Sequence, residues 1–412
     1  MKNRQSKMRV LMFSWEYPPH VVGGLGAHVA ALVPALARAG IEVHLVTPRW
    51  NGGDAHQVIV GDKTRTRRKH VGNAIVYRVE PPVAKLGNFL ADVLQTNLGF
   101  LEQGHALVNK YGGFDLIHAH DWLVASAAMS LGRLHKTELL ATIHATQRGR
   151  ARGHLSGETA CAIDRIEGWL AYEARRVICA SLFMANEVVS YFEVSADKVD
   201  VVPNGVDAAP FDALEHADLS EFRAQWARPE ERIVFFVGRL VHEKGVHLLV
   251  EAVPRIVAEI PQTRVIIAGA GDMSDCLKRR AWELGVADKV LIAGFVSDSD
   301  RDRLFKVADV AVFPSLYEPF GIVALEAMAA RCPVVASSMG GLSEVVQHDV
   351  NGATVYPDNV ESLAWGLLHT LRYPDRAQAR AAVAYRMVKE EYGWDRVAAR
   401  TIEVYDRIVK IS

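Results

Sequence analysis

Val310–Val335 reads VAVFPSLYEPFGIVALEAMAARCPVV, a strand, loop, helix, strand succession from which the rest of the chain can be understood. Val310–Pro314 is a short apolar run of the kind expected of a strand buried on both faces. Ser315–Pro319 breaks that pattern, and from Ile322 onward Val323, Leu325 and Ala329 fit a packed helix. Gly321 stands just ahead of the helix, where the missing side chain lets a ligand approach the backbone. The first N–H groups of a helix have no partner within it and offer a seat for anionic or hydroxyl oxygens. Glu318 lies in the loop and Glu326 inside the helix. At ~1.5 Å of rise per residue the second carboxylate trails the turn by less than ~10 Å. Two acceptor-only groups beside a donor-rich helix mouth suit the hydroxyls of a sugar and a ribose. Two such glutamates also arise by chance in good helix formers, so the pair alone does not decide the function.

A chain of 412 residues is too long for one ordinary core and calls for two domains. Half the residues are hydrophobic and 23% are charged, as in a soluble globular protein, and the net charge of −1 speaks against a nucleic-acid partner. Cys161, Cys179, Cys276 and Cys332 are scattered without C-x-x-C spacing, as expected of incidental thiols in a reducing compartment. The opening MKNRQSKMRVLMFSW sets basic residues before an apolar run. That run, about five residues long, meets Trp15-Glu16-Tyr17-Pro18-Pro19 and is too short for a signal peptide. No stretch approaches the ~20 apolar residues of a membrane span. A cytoplasmic location is expected.

Arg9–Ser14 reads as a first strand, followed by Gly23-Gly24-Leu25-Gly26, a helical pattern from Ala27 to Ala39, and a second strand at Glu42–Thr47. This is the opening of a doubly wound sheet, and the backbone N–H groups of Gly23 and Gly24 are candidates to face a phosphate or sugar. Many such turns serve packing only. Lys63–His70 (KTRTRRKH) reads as a solvated hairpin or loop, with contact to an anionic acceptor or a membrane surface as the alternative. Asp115–His120 is a strand whose carboxyl end carries His118, His120 and Asp121, where the ligands of open α/β sheets gather. His-x-His on one strand could share an ion, but no third ligand stands out in the sequence and no metal is expected. Leu139–Ile143 is the next strand, and His144 ends it beside the arginine-rich loop Gln147–His154. Arg148, Arg150 and Arg152 suit an anionic or polyhydroxy acceptor, or form a mobile basic loop.

The Pro-Asn-Gly turn within Asp200–Asp207 marks a domain boundary, because polar, helix-forming residues follow and Ile233–Val237 starts a second βα series. Arg239 and Lys244 lie between that strand and a helix beginning near Val246. Two cations beside a helix start make a diphosphate site, Arg chelating two oxygens and Lys acting as a point charge, although a basic surface turn has the same composition. Arg264–Gly271 and Lys289–Gly294 add strands with glycine ends, and Gly340-Gly341 marks another βα turn. A last helical region, roughly 375–409, offers Ala399, Ile402, Val404 and Tyr405 as a face to bury.

Glu318-Pro319-Phe320-Gly321 followed by Glu326 resembles the E-x7-E motif of the retaining glycosyltransferases of family 4 and their glycogen-synthase-like relatives. The Gly23–Gly26 loop, His118–Trp122 (HAHDW), Thr142–Ala145 (TIHA) and Gly238-Arg239-Leu240 through Lys244-Gly245 resemble further segments of that family, in its order and across essentially the whole chain. One departure is Val21, where bacterial glycogen synthases usually carry a lysine. The resemblance implies two Rossmann-like α/β domains facing an interdomain cleft (the GT-B class), with a C-terminal helix crossing back to the N-terminal domain. The bounds so implied are 1–205 with about 392–412 for an acceptor-binding domain, and 206–391 for a donor-binding domain. It further implies metal-independent transfer of a hexose, glucose foremost, from a nucleotide diphosphate sugar such as ADP-glucose or UDP-glucose to a glucan, oligosaccharide or other acceptor. His144 and Asp121 would then lie at the reacting sugar. Arg239 and Lys244 would hold the diphosphate, Glu318, Pro319, Phe320 and Gly321 the donor sugar, and Glu326 the ribose. A mannosyl or other hexosyl transferase acting on a lipid or glycan is an alternative. A sugar-nucleotide epimerase and a non-catalytic nucleotide-sugar sensor are alternatives of other classes.

Overall fold

The apolar runs become parallel strands in the computed structural model, which describes residues 8–50, 52–60, 73–82 and 86–410. Two units result, Met1–Asn204 with Trp394–Ser412, and Gly205–Gly393. The first contains β1 (Arg9–Phe13), β2 (Glu42–Pro48), β3 (His56–Val60), β4 (Asn73–Val79), β5 (Leu116–His120), β6 (Leu139–Ile143), β7 (Arg176–Cys179) and β8 (Val199–Val201). They form one sheet in the order β3-β4-β2-β1-β5-β6-β7-β8, and every pairing is parallel except β3 with β4. Val10–Phe13 and all of β5 and β6 are buried, as strands covered by helices on both faces must be. Exposed Val58 shows that β3 is the edge. The basic run Lys63–His70 lies outside the described residues.

The last helical region is two helices, Pro374–Glu391 and Trp394–Val409, where the sequence pattern suggested one. Tyr392 and Gly393 interrupt it, and glycine weakens a helix interior by about 1 kcal/mol. The two helices belong to different units. In Trp394–Val409 the buried residues Val397, Ala398, Thr401, Val404, Tyr405 and Ile408 recur at the helical period, and all but Thr401 join the apolar core around the helix Gly24–Arg38. The Tyr405 hydroxyl lies 2.9 Å from His118 Nδ1, and Arg38 pairs with Asp395 at 2.7 Å.

The second unit contains β9 (Arg232–Val237), β10 (Thr263–Ala268), β11 (Val290–Gly294), β12 (Val310–Phe313), β13 (Val334–Ser337) and β14 (Ala353–Val355). All are parallel, in the order β11-β10-β9-β12-β13-β14. The order reverses between β9 and β12, the place where open α/β sheets bind ligands. Two loops meet there. Gly245, at φ 65°, follows β9 and stands directly ahead of the helix Val246–Glu259. An added Cβ would fall 1.9 Å from the Pro314 carbonyl oxygen beyond β12. Gly245→Ala therefore adds a backbone clash to left-handed strain, a cost on the order of 2–4 kcal/mol, and is expected to lower Tm by roughly 5–10 °C. A melting temperature within about 1 °C of the parent would show that the two loops are not in contact.

Candidate active site

In the first unit the polar groups collect at the carboxyl ends of β1, β5 and β6. Glu16 follows β1, and its Oε2 accepts from the N–H groups of Val22 and Gly23 at 2.8 and 3.1 Å. The glycine loop is thus not a bare cradle; a carboxylate of its own chain already takes two of its donors. Gly26 completes the fit, since a Cβ there would lie 2.6 Å from Glu16 Oε2. Gly24 opens the helix Gly24–Arg38, and a Cβ on Gly23 would meet open space. Glu16 carried no signal in the sequence beyond its place after the first strand.

Asp121 directly follows β5, with φ 61° and ψ 175°, a region that residues with a side chain rarely adopt and that costs ~1–3 kcal/mol. Its Oδ1 accepts from the backbone N–H of His144 at 2.7 Å, so the strained turn positions the start of the next loop. Burial pushes the Asp121 carboxyl up to about 7, against the lowering effect of that hydrogen bond and of Arg150. His120 Nδ1 lies 3.1 Å from His144 Nε2, and the rings of His28 and His144 are 4.8 Å apart. Burial lowers the pKa of His28 to about 4 and of His118 to about 3, and holds His120 and His144 well below the ordinary imidazole range. These four rings are neutral near pH 7.

The segment read as a loop at 147–154 begins with one helical turn, Gln147–Arg150, because Thr146 caps it by accepting from Gly149 N at 2.9 Å. Arg148 is held in a bidentate pair with Asp164 at 3.1 and 2.6 Å, so it braces the turn. Arg150 is the exposed cation near Asp121. Gln147 N–H donates to Glu167, whose carboxyl burial pushes up to about 8.

In the second unit the two loops bring distant residues together. Lys244 Nζ donates to Glu318 Oε2 at 2.6 Å, and Ser315 Oγ donates to the same oxygen at 3.2 Å. Leu316 N–H donates to the Glu243 carbonyl at 2.8 Å, which fixes one loop against the other. Arg239 pairs with Glu243 at 3.1 Å and keeps a half-exposed side chain, so the two cations have different partners. Gly341 N–H donates to the Glu318 carbonyl at 2.8 Å, and a Cβ on Gly341 would sit 2.3 Å from the Pro319 oxygen. Gly321 caps the helix Ile322–Ala329 at φ 99°. Phe320 is buried with its ring 6.2 Å from that of Tyr392, which leaves its backbone as the part able to face a ligand.

Glu326 is mostly buried, 3.6 Å from Arg301 Nη1. Burial pushes its carboxyl up to about 7, opposed by Arg301 and reinforced by Asp302 and Asp298. Arg301 sits in DSDRDRLFKV, Asp298–Val307, whose composition is that of an ordinary charged helix and gives no hint of this contact. The arrangement offers ammonium and guanidinium groups, helix-start N–H groups and carboxylates in one unit. Such groups hold a diphosphate and sugar hydroxyls.

Comparison with known proteins finds relatives along both units. The family described as Glycosyltransferase Family 4 matches residues 22–209, and that described as Glycosyl transferases group 1 matches residues 218–387. An uncharacterized glycosyltransferase of Methanocaldococcus jannaschii is 38% identical over 97% of this chain and 98% of its own length. A glycogen synthase of Mycobacterium tuberculosis is 36% identical over 97% of this chain and 94% of its own. Among solved structures, sucrose-phosphate synthase from Thermosynechococcus elongatus superposes with a TM-score of 0.79 at 24% identity, covering 98% of this chain and all of that one, a likeness of fold.

Proposed function

The chain belongs to the family 4 type of glycosyltransferases, with the GT-B fold, and from that premise we propose that it is a retaining hexosyltransferase using a nucleotide diphosphate sugar. The proposed donor is ADP-glucose or UDP-glucose, and the proposed acceptor an α-glucan or a related oligosaccharide. The observation that carries this reading is the contact of Lys244 with Glu318, a cation suited to phosphate oxygens beside a carboxylate suited to sugar hydroxyls, at the sheet's reversal. The similarity to a glycogen synthase over nearly the full length of both chains supports glucose and a glucan.

In this reading Arg239 and Lys244 take the diphosphate and stabilise the charge that grows on it as the sugar–oxygen bond breaks, often the largest catalytic term. Glu318 holds donor hydroxyls and faces the developing oxocarbenium-like sugar. The acceptor attacks from the face the diphosphate leaves, and the leaving phosphate oxygen takes the acceptor's proton, so the configuration is kept. Asp121 and His144 are proposed to orient a sugar at the strand ends of the first unit.

Glu326 supplies a test with a worked sign. A carboxylate that accepts from ribose hydroxyls must be ionised, and its pKa without donor is about 7. The dissociation constant of the intact nucleotide sugar, whose diphosphate does not titrate near neutrality, is expected to rise about tenfold per unit of pH below 7 and to level off above it. Calorimetry at about pH 6 should then show close to one proton released per donor bound. A dissociation constant unchanged between about pH 6 and pH 8 would remove Glu326 from the ribose.

A further inference from the structure

Three imidazoles, of which only His144 enters the chemistry just described, converge in the first unit. His28 comes from the helix Gly24–Arg38, His120 from the end of β5, and His144 from the position after β6. One ring nitrogen from each lies within 4.8 Å of the other two. The sheet register produces the meeting: His120 is paired with Thr142 on β6, so His144 stands just past it on the neighbouring strand.

The hydrogen bonds of these rings are unequal. His118, next along β5, has both nitrogens satisfied, by Tyr405 and by Thr142 Oγ1 at 2.7 Å, and needs nothing further. His28 Nδ1 donates to Asn204 Oδ1 at 2.7 Å, which leaves its Nε2 as the lone-pair nitrogen and fixes the ring, as outer partners of metal-bound histidines do. His120 is fully buried, and its Nε2 has no hydrogen-bond partner. Whichever tautomer His120 adopts, one polar atom is buried with its bonding capacity unused, which is uncommon unless something else occupies it.

We propose that His28, His120 and His144 form a binding site for a late first-row divalent metal ion of the zinc class. An all-imidazole donor set suits Zn2+, Co2+, Ni2+ or Cu2+ and disfavours Mg2+ or Ca2+, which prefer oxygen. Tetrahedral ligands at ~2.0–2.1 Å from zinc stand about 3.4 Å apart, and the three ring nitrogens lie within 4.8 Å of one another, so small ring movements would bring them onto one ion. Three histidines leave a fourth position for water or an acidic oxygen. The ion would tie one helix and two strand ends together and hold the His144 ring. This site does not depend on the identity of the donor or acceptor, and its failure would leave the transfer reading intact.

The test is titration of the untagged, metal-stripped protein with Co2+, whose four-coordinate complexes absorb far more strongly in the visible than six-coordinate ones. One equivalent is expected to give intense bands that one equivalent of Zn2+ abolishes, with a Zn2+-induced rise in Tm of about 5 °C at saturation. His28→Gln and His120→Gln should each remove the bands. His135→Ala should not, although the exposed pair His105 and His135 also lie 3.1 Å apart and could gather an ion. Weak six-coordinate absorption in the parent protein, or bands lost in His135→Ala, would overturn the proposal. These two readouts need no variant of a buried histidine to fold.

Discussion

Lys244→Ala is expected to raise the dissociation constant of the nucleotide-sugar donor by roughly tenfold to a hundredfold, because a charge-assisted hydrogen bond is worth ~1.5–3 kcal/mol. Without donor, Lys244 is clamped to Glu318 at 2.6 Å, so its ammonium is already placed at the carboxylate proposed to hold the sugar. A diphosphate arriving there meets a cation that has only to share itself between two anions. Removing it also leaves Glu318 with Ser315 as its remaining side-chain donor among the contacts seen, and turnover should fall with affinity. Arg239, paired with Glu243 on the same loop, limits the loss. Lys244→Arg keeps the charge and should recover part of the binding. Equal donor affinity for the parent and Lys244→Ala, measured by calorimetry, would take Lys244 out of the diphosphate site.

Glu318→Gln separates charge from shape and is expected to lower kcat by about a hundredfold to a thousandfold, the loss typical when one preorganised electrostatic group is removed. The amide keeps the length of the side chain and can still accept from Lys244 and Ser315. It cannot offer a full negative charge to a sugar carbon that becomes cationic. Donor affinity should change less than turnover, because the missing interaction grows toward the transition state. Melting should stay close to that of the parent, since a partly exposed ion pair contributes little to stability. Single-turnover rates with a melting curve on the same sample distinguish the cases. A folded Glu318→Gln with parental kcat would refute the role assigned to this carboxylate.

Much of the fold was legible because parallel strands buried on both faces leave unbroken apolar runs, as at Val310–Phe313 and Leu139–Ile143. The edge strand β3 leaves no such run, being exposed along most of its length. The sequence pattern also ran two helices together across Tyr392 and Gly393, since both halves carry the same alternation of basic and apolar residues. Of the candidate site, Lys244 and Glu318 were each visible in a motif, but their contact joins residues 74 positions apart and is a product of strand order. Glu16, Arg301 and His28 were not singled out. Their roles come from partners on other elements, namely Val22 and Gly23, Glu326, and Asn204, and no local pattern encodes these. Arg148 shows the converse. Its arginine-rich surroundings suggested an acceptor site or a mobile basic loop, and the bidentate pair with Asp164 makes it a brace.

The most direct test of the proposed chemistry is nucleotide release from a panel of ADP-, UDP- and GDP-sugars, each with and without maltooligosaccharide. Release from ADP-glucose or UDP-glucose that rises with the glucan, together with an α-linked product, is the predicted result. Release from a GDP-sugar alone, or from a glucose donor at a rate indifferent to every glucan offered, would contradict the glucosyl-to-glucan reading.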